Sequence, residues 1–550
     1  MLQKSRLATF TLLLLFGTAS YSFIYKGNQF EITKNLELLA NIFRELDAYY
    51  VDELTPAKLL RSGIDGMMSS LDPYTNFIPE EEMSSYELQT TGKYGGIGAL
   101  IRKTGDYVII TEPYENSPSV KYDLRAGDKI LKIDGISAKG KNTDEVSKLL
   151  KGEPNTQVKI TIERPGEPAP IEKVITREEI VIKNVPYYGM LDAQTGYIRL
   201  TGFTNKCSRE VTDALKDLKN NYKAQSVVLD LRDNPGGLLN EAIDVANIFV
   251  DKDMEIVSTR SRKRDWDKKY TTHHQPIDTQ MPLAILIDRG SASAAEIVSG
   301  AMQDLDRGVI LGDRSFGKGL VQSTKDVGYN SRIKLTTAKY YLPSGRCIQA
   351  IDYSGGYTEK LEKVPDSLRT AFKTKNNRTV YDAGGVDPDV KVELPKYANI
   401  SNSLYNKQLI FDYATLYRTQ HPQIALPNQF ELTDADFEAF AKFLADKDYD
   451  YTSKSEDLLK SLKEVSQKEN YQSAINADLT QLETALHHDK KQDLQKNKDE
   501  IKKLLEYEIV LRYYLQKGQI QESLEDDEAV IKAKEILQNP IQYKQFLGKQ

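Results

Sequence analysis

Cysteine and histidine are scarce in this chain. Two cysteines, Cys207 and Cys347, in 550 residues leave no disulfide framework and no multi-cysteine metal site; whether the two pair stays open from sequence. The five histidines, His273, His274, His421, His487 and His488, fall into no HExxH or other ligand spacing. A nucleophile here must therefore work without histidine, and no metal or other cofactor is expected. Charge of one sign is lacking too. A net charge of -6 with 28% charged residues points to neither nucleic acid nor an anionic membrane surface. No internal repeat is evident. What is present is an ordinary globular balance, 40% hydrophobic, in a chain long enough for three or four domains.

The N-terminus differs from the rest. Lys4 and Arg6 precede an apolar run from Leu7 to Phe16 that continues less purely to Tyr25. A basic segment before a short apolar stretch marks export, and with Gly17 to Tyr25 the run approaches the ~20 residues of a spanning helix. Residues 1–27 are expected to be a signal peptide or a retained N-terminal membrane anchor. The remainder is then expected in the periplasm or cell envelope, with anchoring to the inner membrane left open.

Helical spacing of Leu36, Leu39, Ile42, Phe43 and Leu46 predicts helix from Ile32 to Leu71, with a start at Thr55-Pro56 and a stop at the Leu71-Asp72-Pro73 turn signal, within a helical N-terminal region 28–91. From about 92 to 177 short strands take over, among them Tyr107 to Thr111 and Val158 to Ile162. Asp134-Gly135 reads as a tight turn, Thr143 to Leu150 as a helix, and Pro165, Pro168 and Pro170 as a hairpin tip. From about 178 to 396 strand and helix alternate, which argues for an α/β core. Ser226 to Leu231 and Leu283 to Ile287 are apolar enough to be buried on both faces. From 397 to 550 the pattern is polar, lysine-rich and helical. That segment could dimerise, bind an adaptor, cover the site, or stand as a solvated appendage.

Three constellations carry chemistry. Asp288-Arg-Gly-Ser-Ala-Ser-Ala-Ala-Glu-Ile297 follows a buried strand and opens a helix. A serine there sits at the positive end of a helix dipole, where developing negative charge is stabilised; taken alone, such a serine is usually a cap. Arg314-Ser-Phe-Gly-Lys-Gly-Leu-Val-Gln322 flanks Lys318 with glycines. A lysine acts as general base only when neutral, and desolvation favours that form. It would then take a serine proton, as histidine does in the Ser-His-Asp template. If a strand runs from Lys318 to Gln322, both side chains share one face, and Gln322 can orient the lysine. Val227-Val-Leu-Asp-Leu-Arg-Asp-Asn-Pro-Gly-Gly237 ends a buried strand in a double glycine, where exposed N–H groups can bind an oxyanion.

The runs Asp230 to Gly237, Gly290 to Glu296, Ala301 to Asp304 and Phe316 to Gly319 with Gln322 resemble, in order and spacing, the C-terminal processing peptidases, also called tail-specific proteases. The resemblance implies Ser293 as nucleophile in preference to Ser291. It further implies Lys318 as general base, Gln322 as its orienting partner, and the N–H groups of Gly237 and Ala294 as oxyanion donors. Asp230, Arg232, Glu296 and Asp304 match supporting positions. Lys93-Tyr-Gly-Gly-Ile-Gly98 resembles the carboxylate-binding loop of a PDZ domain, which makes Tyr94, Gly95, Gly96, Ile97 and Gly98 the expected tail-binding residues. Leu124 to Ile130 and Ser70-Leu-Asp-Pro-Tyr-Thr75 extend the likeness; residues beyond about Tyr397 depart from it.

The implied fold is multidomain α+β and α/β. It comprises a helical N-terminal region (28–91), an inserted PDZ domain (92–177), a ClpP/crotonase-like serine peptidase core (178–396) and a helical C-terminal extension (397–550). The implied function is an exported serine endopeptidase acting on proteins or peptides with apolar C-terminal tails, with no nucleic acid partner. Dimerisation or adaptor binding through the helical regions stays open. Two other readings use the same residues: a catalytically silent PDZ scaffold, against which the intact Ser293, Lys318 and Gly236-Gly237 set argues, and a crotonase-like acyl-CoA enzyme, against which the PDZ-like insertion and export segment argue.

Overall fold

The computed structural model describes residues 29–353, 363–393, 395–486 and 490–549; the expected export segment lies outside them. The described residues form two compact units that divide between Phe77 and Ile78.

The first unit holds two helices, α1 (29–49) and α2 (Pro56–Ser69). Pro56 opens α2, where its missing N–H costs nothing. The predicted Leu71-Asp72-Pro73 stop is built on Asp72, whose carboxylate accepts the N–H groups of Tyr74 and Thr75. No described helix is long and apolar enough to cross a membrane.

In the second unit, helix α3 (Met83–Thr91) leads into a two-stranded stalk, β1 (Lys93–Gly96) paired antiparallel with β8 (Glu178–Val181). The small β-rich domain stands on this stalk. Its strands are β2 (Ala99–Thr104), β3 (Tyr107–Pro113), β4 (Lys129–Ile133), β5 (Ile136–Ser137), β6 (Gln157–Glu163) and β7 (Ile171–Thr176), in the order β2-β3-β4-β6-β7 with β5 beside β4. Helix α4 (Thr143–Leu150) packs over β2. Asp134 (φ 48°) and Gly135 (φ 81°) make the two-residue turn between β4 and β5, as the Asp-Gly pair predicts. The proline cluster at 165–170 is the tip between β6 and β7.

The core is a six-stranded sheet. Its strands run β9 (Tyr187–Met190), β10 (Thr195–Arg199), β11 (Ser226–Asp230), β14 (Leu283–Ile287), β15 (Val309–Gly312) and β18 (Val390–Lys391), parallel except for β9. Alternation along the strands splits its two faces. Ile198, Val227, Leu229 and Ile285 pack with α5 (Cys207–Asn220), α6 (Leu239–Asn247) and α7 (Ala294–Asp304). Tyr197, Val228, Ala284 and Leu286 face the other way. They share a core with the last two helices of the chain, α12 (Glu528–Leu537) and α13 (Pro540–Phe546). The end of the C-terminal extension is thus a layer of the peptidase core. A second sheet joins β12 (Glu255–Arg260), β13 (Lys268–Thr271) and the long hairpin β16 (Leu320–Gly328) and β17 (Ser331–Tyr341).

The rest of the extension has its own core, built on α8 (Asn399–Asn406), α9 (Leu409–Gln420), α10 (Asp434–Phe443) and α11 (Lys498–Ser523). The β-rich domain docks on it. Arg102 lies over the Phe411 ring at 5.0 Å, and a Cβ on Gly127 would sit 2.4 Å from Thr415 Cγ2. Helix α11 breaks at Leu515 (φ 54°, ψ −165°). The Gln516 N–H beside the break is taken by Glu112 of β3. Both cysteines are free thiols, Cys207 buried and Cys347 partly so.

Candidate active site

Three turns converge at the C-terminal ends of β11, β14 and β15, where open α/β sheets place their ligands. The turn after β14 carries Ser293 into α7 with φ 54° and ψ −112°. A non-glycine residue in that region stores on the order of 1–3 kcal/mol, a strain that collects at functional sites. The turn after β11 ends in Gly236 and Gly237. A Cβ on Gly236 (φ +94°) would lie 2.6 Å from the Ala292 carbonyl oxygen and 2.8 Å from the Ala294 nitrogen; one on Gly237 (φ +148°) would lie 2.4 Å from the Phe203 carbonyl oxygen. Glycine at 236 lets this turn press against the Ser293 turn, and glycine at 237 lets it press against Phe203.

Buried polar groups fasten the two turns together. The Asp288 carboxylate accepts the N–H groups of Asp233 (2.9 Å), Gly290 (2.9 Å) and Ser291 (3.1 Å). Ala292 N–H donates to the Asn234 carbonyl at 2.9 Å. The Ser291 hydroxyl is fully buried, donates to the Leu231 carbonyl at 2.8 Å and accepts the Asp288 N–H at 2.9 Å. Ser291 is therefore a fastener between turns, while Ser293, two residues on, is only partly buried. Among the described residues, no acceptor takes the N–H of Gly237 or Ala294.

Lys318 lies in the third turn, and Glu296 ties it to Ser293. The Glu296 carboxylate is fully buried in the first turn of α7. Its Oε2 accepts the backbone N–H groups of Ser293 (2.8 Å) and Lys318 (2.9 Å). Its Oε1 accepts the Gly317 N–H (2.7 Å) and the Ser315 hydroxyl (2.6 Å). Burial pushes the Glu296 carboxyl above its ordinary value, against the pull of those four donors. Tyr340 of β17 clamps the same pair from the carbonyl side, its hydroxyl reaching the carbonyl oxygens of Ser293 (3.2 Å) and Lys318. The glycines around Lys318 permit close approach: a Cβ on Gly317 would meet Ala350 Cβ at 2.4 Å, and one on Gly319 the Gln349 nitrogen at 2.8 Å.

Gln322 differs from expectation in its setting. Strand β16 begins at Leu320, after Lys318, so strand alternation does not by itself relate Gln322 to Lys318, and the pairing shifts at Gln322 because β17 carries an extra residue, Thr337. Its side-chain amide donates to the Thr336 hydroxyl at 3.3 Å. Asp230 is buried behind the Gly236-Gly237 turn, paired with Arg199 (2.8 Å) and Arg232 (2.6 Å) and accepting the Tyr197 hydroxyl (2.7 Å). Burial alone would raise its carboxyl; the two guanidinium groups outweigh that and hold it well below the usual range. Asp304 sits at the far end of α7, paired with buried Arg346 at 2.8 Å and accepting the Ser344 N–H. It fixes that end of the helix, away from the three turns. Sequence reasoning missed Tyr340, Ser315 and Asp288. Ser315 and Asp288 stand inside the motifs already noted; nothing in local spacing marks Tyr340.

In the small domain the loop carbonyls turn inward. Ile97 accepts the N–H and hydroxyl of Ser119, and Gly98 (φ +77°) accepts the Tyr114 N–H and the Ser117 hydroxyl. The N–H groups of Gly98 and Ala99 meet the hydroxyl of Tyr94, which burial pushes up to about 12. The Tyr94 ring folds back over Gly96, where a Cβ would lie 2.7 Å from its Cε2. The outer edge of β2 is unpaired within its sheet. Among the described residues no His/Cys/Asp/Glu cluster could hold a metal ion.

Comparison with known proteins matches three segments of the chain. Residues 194–356 match the model of peptidase family S41, residues 109–164 that of the PDZ domain, and residues 400–537 that of the C-terminal helical domain of a probable PDZ-protease. A carboxy-terminal-processing protease of Bartonella bacilliformis is 37% identical over 331 residues, covering 60% of this chain and 76% of the relative. A probable CtpA-like serine protease of Staphylococcus aureus is 34% identical over 383 residues, 69% of this chain and 75% of the relative. Among solved structures, a photosystem II D1 C-terminal processing protease is 27% identical with a TM-score of 0.35, covering 65% of this chain and 92% of the other.

Proposed function

The chain belongs to peptidase family S41 with the carboxy-terminal-processing proteases and is a serine-type peptidase, and from this we propose that it hydrolyses peptide bonds with a Ser293–Lys318 dyad. Ser293 Oγ attacks the scissile carbonyl carbon and its proton passes to the neutral Lys318 amine. The oxyanion that forms accepts the N–H groups of Gly237 and Ala294, at the positive end of α7. Lys318 then hands its proton to the leaving amine, and an acyl-enzyme remains. Water attacks the ester, Lys318 takes the water's proton, and Ser293 Oγ leaves with that proton as the acid product departs. Gln322 serves the lysine from β16.

The observation that carries this reading is the shared Glu296 oxygen. One buried atom accepts the backbone N–H of both Ser293 and Lys318, which fixes the start points of two side chains from distant turns against each other. A structural role alone gives no reason to hold a strained serine and a glycine-flanked lysine in register.

The PDZ domain selects substrates by their C-termini. A tail adds to the free edge of β2, and its carboxylate takes the N–H groups of Gly98 and Ala99 by displacing the Tyr94 hydroxyl. Export through the N-terminal segment puts this activity in the cell envelope. The test is cleavage of an unfolded, apolar-tailed reporter by purified residues 28–550, beside Ser293→Ala and Lys318→Ala. The dyad predicts loss of cleavage in both variants, and wild-type rates in either one sink it. Equal cleavage of free-acid and amidated tails would sink tail recognition alone.

A further inference from the structure

The C-terminal helical segment reaches back to the oxyanion turn through one ion pair. Asp527 caps α12, its Oδ1 accepting the N–H groups of Ala529 (2.9 Å) and Val530 (3.1 Å). Its Oδ2 pairs with Arg232 Nη1 at 2.7 Å. Both side chains are mostly buried, 17% and 16% exposed, so bulk water screens the pair little. Arg232 spends the rest of its guanidinium on Asp230, through Nε (3.0 Å) and Nη2 (2.6 Å), and its own N–H on Asp230 Oδ1 (2.9 Å).

The local charge count gives Asp527 a specific task. Arg199 and Arg232 both lean on the single buried carboxylate of Asp230. Arg199 also meets Asp233, but at 3.6 Å and with that carboxylate largely in water. Asp527 is the partner that meets the outward nitrogen of Arg232. Arg232 is the second residue past β11 and heads the turn that ends in Gly236 and Gly237. Remove the Asp527 charge and one buried guanidinium loses its counter-ion, a change buried sites relieve by moving.

We propose that Asp527, from outside the peptidase-family segment, is a positioning residue for peptide hydrolysis: it holds Arg232, and through it the turn that aims the Gly237 N–H at the oxyanion. This rests on the reading of Gly237 as an oxyanion donor. The geometry has little slack, because Gly236 is already in contact with the Ser293 turn. A displacement there moves the donor away from the reacting carbonyl.

The test is Asp527→Asn in the whole protein, which keeps an oxygen to cap α12 while removing the charge. Asp527→Ser, which also keeps a cap, stands in if the first variant folds poorly. Steady-state cleavage is measured on a peptide and on its analogue with a thioamide at the scissile bond, with thermal unfolding alongside. A thiocarbonyl engages oxyanion donors less well than a carbonyl, so the ratio of the two rates reports on the hole. We expect kcat on the oxygen substrate to fall about tenfold to hundredfold, as a misplacement of about 1 Å does, with KM unchanged, the unfolding midpoint lowered but the protein folded at the assay temperature, and the rate ratio reduced. Asp527→Glu, which restores charge, should recover part of kcat. An unchanged kcat and rate ratio in a folded variant overturns the proposal while the dyad stands. Loss of kcat that tracks a large drop in unfolding midpoint, with the ratio intact, also overturns it, because the role is then stability alone. If the wild type shows no preference for oxygen over sulfur, the oxyanion reading itself fails and takes the Asp527 role with it.

Discussion

Replacing Glu296 by glutamine tests the geometry of the site more sharply than removing either the Ser293 or the Lys318 side chain. The carboxylate divides four donors evenly, Ser293 and Lys318 N–H on one oxygen, Gly317 N–H and Ser315 hydroxyl on the other. An amide has one oxygen and one NH2. Turned with its oxygen toward Ser293 and Lys318, it keeps that pair; the Ser315 hydroxyl can rotate, but the Gly317 N–H then faces another donor. One orphaned buried donor costs about 1–3 kcal/mol. Turned the other way, two backbone donors are orphaned, about twice that, so the first orientation wins. The surviving bonds lose their charge assistance, roughly another 1–2 kcal/mol together. Against this, glutamine escapes the burial that pushes the Glu296 carboxyl upward. The balance is a loss of about 2–4 kcal/mol, read as a lower midpoint in urea unfolding with an unchanged slope. The kcat should fall with it, since Gly317 adjoins Lys318, while KM holds. A glutamine variant as stable as wild type, with wild-type kcat, would refute the assignment of Glu296 as the tie between the two turns.

Tyr340→Phe removes the hydroxyl that joins the Ser293 and Lys318 carbonyls and leaves the buried ring in place. Stability should fall by about 1 kcal/mol and kcat by about tenfold in steady-state assays; an unchanged kcat would count against a carbonyl-side clamp. Docking of the PDZ domain on α11 should depend on pH. Burial, the facing Glu508 and the opposing Arg512 leave the Glu112 carboxyl at about 7, with Arg102 and Asp412 also near Arg512. The folded value is raised above the unfolded one. Its contribution is therefore full below the ordinary carboxylate range and is lost as pH rises through about 7. Hydrogen exchange around Gln516, corrected for intrinsic rate, should show more protection at pH 6 than at pH 8, and Glu112→Gln should abolish the difference. The same pH response in that variant would rule Glu112 out as its source.

Much of the fold was legible because local rules agreed. Ser226 to Leu231 and Leu283 to Ile287 read as strands from their nearly continuous apolar character, and the strands observed there, Ser226–Asp230 and Leu283–Ile287, are buried on two faces. Thr143 to Leu150 read as a helix and carries a full capping box on Asn142. Asp134-Gly135 named its own turn. What stayed hidden depends on chain segments far apart in sequence. Tyr340 meets Ser293 across 47 positions, and nothing in its neighbourhood distinguishes it from Tyr341. The alternation argued for a strand running from Lys318 to Gln322 does not apply, because the strand starts at Leu320, after Lys318. The polar, lysine-rich stretch after residue 397 reads as helix but not as a partner of the sheet. Its apolar stripes, Ala529, Val530, Ala533 and Ile536 among them, announce burial without naming the surface they cover.

That last surface sets an order of events in the making of the enzyme. Val228, Ala284, Leu286 and Leu311 line a sheet face whose cover, Leu524 to Leu547, leaves the ribosome more than two hundred residues later. Contacts of such sequence separation form late. Until they do, the parallel sheet has one bare apolar face and Arg232 has no Asp527. A partly synthesised chain therefore presents Ser293 and Lys318 in their motifs but not yet in a finished core. The apolar face of the sheet is closed only once Leu524 to Leu547 have folded onto it.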